Sequence, residues 1–360
     1  MRTKIAALVA ACAVALAACD AGGPPPPMPG ATGAAPAPVP TAPTPTRGPT
    51  MPAEVRLAFA GDVHFTGRTL TLLDDPPTAF GPIATQLGDA DLTVVNLETA
   101  VTGRGTPEPK TYHFRAPSTA YAALRAAGID AASVANNHAL DYGRVGLTDT
   151  LDSARTAGFP VFGAGRDTDE AYAPWLTTVH GVRLAVLGMS QVHALSEQWK
   201  PAASRPGIAM AFDTARATAA VRAARATADL VVVFTHWGIE GNPCPSGEMR
   251  AFAATLATAG ADVVVGTHAH TLLGDGWLDR TYVHYGLGNF LWYVGSRSTD
   301  SGVLRLTVRG RTVVRTEFLA ATVSGTGQPV LVSGPAKARI EDKLAAARRC
   351  AGLAPRRPGT

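Results

Sequence analysis

Six short apolar runs, separated by segments with helical spacing, constrain this chain more than any other feature. They lie at 55–60, 92–96, 129–134, 184–187, 230–234 and 263–265. Runs this short, between helical segments, read as strands covered on both faces, so the pattern predicts an α/β fold around a buried sheet. Helices are expected at 118–127, with Ser118 as N-cap and Gly128 as stop, and at 145–157, ending at Gly158. Two more are expected at 214–227, behind Asp213, and at 247–259. The end of the chain differs. Val303 to Val308 and Thr312 to Phe318 flank Gly310, which suggests a hairpin, and a charged helix near 336–349 leads to a polar tail.

Polar residues collect where the apolar runs stop. Asp62 and His64 follow the first run, and Glu98 follows the second. Asn136, Asn137 and His138 follow the third, with Asp141 close behind. His236 and Trp237 follow the run at 230–234, and His268 and His270 follow the last. Ligands of open α/β sheets bind beyond the carboxyl ends of the strands, so these five loops should meet at one edge. Asp62 with His64, and His268 with His270, are i,i+2 pairs, which extended backbone points to one side. Imidazole and carboxylate suit Mn, Fe or Zn, and no cysteine belongs to the set. Glu98 is available to bridge two divalent transition metals, which together lower the pKa of a bridging water and hold an oxyanion. The alternative is a set of capped loop ends that only exchange hydrogen bonds. His113, His180, His193 and His284 lack this context and read as ordinary residues.

The first 53 residues cannot share that core. Arg2 and Lys4 precede the apolar stretch 5–18, which is too short for a comfortable transmembrane helix and reads as a signal peptide over 1–18. It closes on Leu16-Ala17-Ala18-Cys19, which resembles a bacterial lipobox with Cys19 as the lipidated residue; the alternative is an ordinary signal peptide. Residues 19–53 hold twelve prolines and read as an extended tether. The protein is therefore expected on the outer face of the bacterial cytoplasmic membrane, anchored by lipid. Two cysteines then remain, Cys244 and Cys350, in an oxidising compartment that favours a disulfide over two free thiols. With 32 basic residues against 28 acidic ones, nothing marks the chain as a nucleic-acid binder.

The motifs resemble those of the CapA family of bacterial capsule and poly-γ-glutamate biosynthesis proteins, within the calcineurin-like metallophosphatase superfamily. The stretches that carry the likeness are GDVHFTGR (61–68), DLTVVNLETAVT (91–102), YHFRAP (112–117), VANNHALDYG (134–143), THWGIE (235–240), GTHAH (266–270) and YGLGNF (285–290). The resemblance implies a four-layer α/β/β/α sandwich with a dinuclear metal site, in a domain spanning 54–322 ahead of a C-terminal helix and tail at 323–360. It implies that Asp62 and His64 bind one metal, that Glu98 stands in the bridging place, and that Asn137 and His236 bind the second metal. His268 and His270 would serve one metal each, and His138 would protonate the leaving group. The chain departs from the superfamily at Asn96-Leu97-Glu98-Thr99, where G-D-x-x-D is usual, so the aspartate that orients the catalytic histidine is missing. Asp141 is the candidate replacement.

Three side chains keep two readings each. Arg115 is either a contact for an anionic substrate or half of a surface salt bridge, and Trp237 and Glu240 either shape the pocket or serve packing and surface charge. Asn289 reads as a loop-fixing residue. For function, the first expectation is a surface metallohydrolase cleaving a phosphoester or an amide. The second is a non-catalytic component of an assembly or export complex, a polymer synthase complex in the membrane, handling an anionic capsule polymer such as poly-γ-glutamate; Arg68, Arg104 and Arg115 are near in sequence to attract it. A broad phosphate-monoester phosphatase ranks last, because no base-binding pocket is recognisable and fold kinship does not set substrate.

Overall fold

The computed structural model describes residues 53–293 and 297–358, which belong to one compact unit, Met51–Thr360. The expected signal peptide, Cys19 and nearly all of the tether lie outside the described residues. No helix among the described residues is long and apolar enough to cross a membrane.

Fourteen strands carry the argument: Glu54–Val63 (β1), Leu92–Leu97 (β2), Ala131–Ser133 (β3), Val161–Phe162 (β4), Trp175–Val179 (β5), Val182–Ser190 (β6) and Leu230–Trp237 (β7). They continue with Val263–His268 (β8), Asp275–Leu278 (β9), Thr281–His284 (β10), Asn289–Leu291 (β11), Asp300–Arg309 (β12), Thr312–Val323 (β13) and Pro329–Leu331 (β14). The main helices are Thr119–Ala126 (α1), Gly143–Ala157 (α2), Thr214–Thr227 (α3), Gly247–Ala259 (α4) and Gly334–Ala351 (α5).

Two sheets form. The first runs β14-β13-β12-β1-β2-β3-β4, with β11 also pairing β1. The second runs β9-β10-β8-β7-β6-β5. Within them β1, β2, β3 and β4 are parallel, as are β6, β7, β8 and β10. The expected hairpin is β12 and β13, antiparallel, with Arg309 opposite Thr312.

Strand alternation sorts side chains into layers. Leu57 and Phe59 of β1 and Val94 of β2 meet Leu184, Val186, Val232, Phe234, Val263 and Val265 in one core between the sheets. The intervening residues point outward. Ala58, Ala60, Val95 and Leu97 pack with Leu124 of α1 and Leu147 of α2. Ala185, Leu187, Val231 and Val233 pack with Val221 of α3 and Leu256 of α4. The architecture is thus helix, sheet, sheet, helix, the four layers expected. Asp213 caps α3 by accepting from the Arg216 N–H, and Ser246 caps α4 by accepting from the Met249 N–H. Ser118 makes no such bond at α1. Helix α5 buries Ile340, Leu344, Ala347 and Ala351, and Cys350 near its end is disulfide-bonded to Cys244.

Candidate metal centre

The parallel strands of both sheets end at the same place. Asp62 sits at the end of β1, Glu98 one residue beyond β2, and His236 near the end of β7. His268 closes β8, and the Asn136–His138 turn follows β3. Close backbone approach makes this possible. A Cβ on Gly61 would lie 1.9 Å from the Gly288 carbonyl oxygen, so only glycine lets β1 draw near enough for the Asp62 N–H to donate to that oxygen at 3.0 Å.

Two triples of ligand-type side chains result. Asp62, Glu98 and His270 form one, and Glu98, His236 and His268 form the other, each with its ligand atoms within 4.8 Å of one another. All five residues are buried. Glu98 belongs to both triples. Around the second triple, His236 Nε2 lies 2.7 Å from Asn137 Oδ1, 3.1 Å from His268 Nδ1 and 3.6 Å from Glu98 Oε1. Ligand atoms about 2.0–2.2 Å from a tetrahedral cation stand about 3.3 Å apart, so this spacing fits one. In the first triple, His270 Nδ1 is 3.4 Å from Asp62 Oδ2.

The electrostatics are those of a site that suits a cation. Burial, then the Asp62 charge, pushes the Glu98 carboxyl well above the usual carboxylate range. Burial holds the His236 imidazole well below its ordinary value and drives His268 down to about 3, the neighbouring histidines adding to both effects. Neutral imidazoles beside crowded carboxylates form a donor set that suits a divalent cation. Glu98 Oε1 is buried with no hydrogen-bond partner among the described residues, a cost that a bound divalent ion would remove.

His138 is built differently. Its Nδ1–H donates to Asp141 Oδ2 at 2.6 Å, and its Nε2 faces Glu98 Oε1 at 3.8 Å. The ring stacks on Phe114 with centroids 3.8 Å apart. Burial lowers its imidazole to about 4, against the raising effect of Asp141. Asp141 therefore takes the orienting position that its place after the Asn136–His138 turn suggests.

Comparison with known proteins fits these motifs. The family model described as bacterial capsule synthesis protein PGA_cap matches residues 56–293, about two thirds of the chain. The chain belongs to the bacterial capsule synthesis protein family. It is 32% identical over 206 residues to the capsule biosynthesis protein CapA of Bacillus anthracis, covering 56% of this chain and 49% of that one. It is 32% identical over 198 residues to the PGA biosynthesis protein CapA of Bacillus subtilis strain 168, covering 54% and 51%. The chain thus spans about half the length of the curated relatives it matches. A solved structure titled as a novel phosphatase of Mycoplasma pneumoniae aligns with a TM-score of 0.49 at 14% identity, covering 80% of this chain and 98% of that one.

The residues read from the sequence as site residues come together except at four positions. His64 is buried beside the centre but belongs to neither triple. A register irregularity between Asp62 and Val63 breaks the i,i+2 alternation that was to aim both side chains at one point. The His64 ring instead stacks on Phe114 at 4.4 Å and meets Trp292 edge-on at 4.1 Å, while its Nδ1 accepts from the Thr66 N–H at 3.1 Å. Trp237 is fully buried under α4, its Nε1–H donating to the Tyr285 carbonyl at 2.8 Å, so it serves packing. Arg115 stacks over the Tyr142 ring at 3.5 Å and donates to the Arg104 carbonyl; among the described residues it pairs with no carboxylate. Glu240 is exposed and 3.5 Å from Arg297.

The extended-backbone argument for His268 and His270 also needs correcting. Both have positive φ, 87° and 52°, so the backbone there is not extended, while their places in different triples agree with one histidine for each metal. Three residues take roles that the sequence reading does not give them. Asn96 Nδ2 donates to Asp62 Oδ1 at 2.8 Å and approaches Glu98 Oε2 at 3.3 Å. Asn136 Nδ2 donates to Asn96 Oδ1 at 3.0 Å, and its Oδ1 accepts from the His138 N–H. Lys110 donates to Asp141. The two asparagines lie within strand-end motifs and are legible by position; Lys110 sits in a loop without a signal. Asn289, read as loop-fixing, has its Oδ1 2.8 Å from His270 Nδ1.

Proposed function

We propose that this member of the capsule synthesis protein family is a metal-dependent hydrolase of a phosphoester or an amide, with an anionic capsule polymer of the poly-γ-glutamate kind as its substrate class. In this reading lipid on Cys19 holds it at the outer face of the bacterial cytoplasmic membrane, and the tether at 19–53 spaces the catalytic body from the bilayer. The observation that carries the chemistry is Glu98: a buried carboxylate shared by two ligand triples, with one oxygen unpartnered. Asp62, Glu98 and His270 would hold one divalent transition metal (Mn, Fe or Zn), and Glu98, His236 and His268, with Asn137, a second. Such metals polarise the bond to be cleaved and make water acidic enough to act at neutral pH. The chain's own residues do the rest. Asn96 holds the two carboxylates in place, and Asp141 fixes the His138 ring so that Nε2 is free to exchange a proton with the leaving group.

Elemental analysis of protein purified without chelator, followed by turnover of bis(p-nitrophenyl) phosphate and of γ-glutamyl amides, tests this. About two metals per chain with turnover of either class supports it. A protein that stays metal-free after incubation with Mn, Fe and Zn overturns it. A second reading is favoured by the relatives themselves, whose printed names concern biosynthesis: a metal-containing component of a polymer synthase or export complex that does not hydrolyse. Two bound metals with no turnover, and retention of the polymer, would select that reading.

A further inference from the structure

Lys110 lies in the segment 102–114, and its side chain is only 19% exposed. Its ammonium is in no ligand triple, yet it contacts His138 and Asn137, whose side chains adjoin Glu98 and His236. Nζ donates to Asp141 Oδ1 at 2.7 Å and to the Asn137 carbonyl oxygen. It lies 3.3 Å from His138 Nδ1 and 5.3 Å from the centroid of the Trp199 ring. Asp141 is wholly buried and already accepts from His138 Nδ1–H and, at 2.6 Å, from the Phe114 N–H. The Glu108 N–H donates to the Asp141 carbonyl at 2.9 Å. One loop therefore supplies the counter-charge to Asp141, grips its backbone, and lays Phe114 flat on His138.

We propose that Lys110 is a positioning residue for His138, acting through Asp141. A buried carboxylate without a cation is strongly unfavourable. With Lys110 on Oδ1, the Oδ2 atom is left to receive Nδ1–H, and that bond fixes both the rotamer and the tautomer of the ring. Nε2 is then turned toward Glu98, where the reacting bond would lie. The same ammonium ties the Asn137 peptide, so one side chain sets the spacing between a candidate ligand and the proton-transfer group. This rests on the hydrolase reading for its catalytic meaning, but the positioning itself is testable without turnover.

The experiment compares wild type with Lys110→Met and Lys110→Arg, each loaded with zinc and labelled with 15N-histidine, using His138→Gln to assign the ring signals. The expected result is loss of the hydrogen-bonded Nδ1–H signal of His138 in Lys110→Met and its recovery in Lys110→Arg. With a phosphodiester probe, kcat should fall at least about tenfold in Lys110→Met with KM changed less than about twofold, metal content staying at the wild-type value. Unchanged His138 ring signals in Lys110→Met overturn the proposal, and so does a kcat loss matched by an equal loss of bound metal. If Lys110→Met does not fold, Lys110→Gln, which keeps an N–H donor without the charge, takes its place: loss of the Nδ1–H signal supports the proposal and an unchanged signal overturns it. A wild type that turns over nothing, but whose Nδ1–H signal still depends on Lys110, leaves the positioning intact and removes only the hydrolase reading.

Discussion

Removing the Cys244–Cys350 bridge should cost stability and loosen the metal centre together. The two cysteines are 106 residues apart. On the chain-entropy model, opening a loop of that length relaxes the unfolded chain by up to about 4.7 kcal/mol. For a unit of this size, unfolding entropy of about 2.1 cal/mol/K per residue converts that to a Tm fall of about 7 °C. Helix α5 itself should stay docked, because Ile340, Leu344 and Ala347 remain buried, Arg348 still pairs with Asp275 at 2.6 Å, and the Cys350 carbonyl still accepts from Arg250. The loosening falls instead on the loop after β7. Gly241 in that loop donates its N–H to the Ala269 carbonyl at 2.7 Å, between His268 and His270. A Cys244→Ser/Cys350→Ser double variant should therefore melt several degrees lower. It should also bind zinc more weakly, by about 10-fold, the usual loss when groups that hold the ligands in place are removed. Differential scanning calorimetry and competition with a chelating dye measure the two effects. A Tm change under about 1 °C would refute the loop-closure argument. Unchanged zinc affinity despite a lower Tm would refute the link from the loop to the histidine pair.

Three further outcomes follow from the same geometry. Glu98→Gln removes the carboxylate common to both triples, so bound metal should fall from about two per chain to one or none by elemental analysis; retention of two would remove Glu98 from the bridging role. His138→Ala should abolish turnover while metal content is unchanged, since its ring stands outside both triples; unaltered kcat would sink its proton-transfer role. His284 supplies a pH test outside both ligand triples. Burial drives its imidazole down to about 4, with Asp275 opposing and Arg348 adding, and neither ring nitrogen has a hydrogen-bond partner among the described residues. The unfolded chain then binds the extra proton first as pH falls, so stability is complete above the ordinary histidine value and is lost as pH falls from about 6.5 toward 4, by about 3 kcal/mol at the end. His284→Phe, packing against Phe318, should flatten the acid limb of the urea-midpoint profile; an unchanged limb means another group governs it.

Much of the fold is legible in the sequence because it rests on local patterns. The helix read at 214–227 spans those residues in the structure, and the helix at 145–157 starts only two residues earlier. In each case a polar cap or a glycine stop marks an end, which is chemistry within one turn. The strands that escape such a reading are those whose burial comes from elsewhere. β5 has no fully buried residue and is defined by pairing with β6. The β9–β10 hairpin turns at Asp279, with φ of 52°, a residue and conformation that carry no glycine signal. Asp275–Leu278 and Thr281–His284 are each four residues long, too short for periodicity to speak.

The site divides along the same line. Residues that leave a parallel strand at its carboxyl end arrive by topology, so five polar clusters can be placed together without any knowledge of distance. Aim is a different matter, because it depends on dihedrals that alternate only while the strand stays regular. The irregularity after Asp62 turns His64 into an aromatic cage of Phe114, Trp292 and Tyr293. The left-handed conformations of His268 and His270 split a pair that an extended strand would have kept on one side. Backbone in sparsely populated regions costs of order 1–3 kcal/mol per residue and persists only where the surroundings over-determine it. Here two such residues are consecutive candidate ligands, held by the Asp62 carboxylate accepting from the His268 N–H at 3.2 Å and by Asn289 on His270. That placement is itself an argument for function: a chain that needed only capped strand ends would have met the β8 turn with glycine, whereas this one places the strain on imidazoles facing a shared carboxylate.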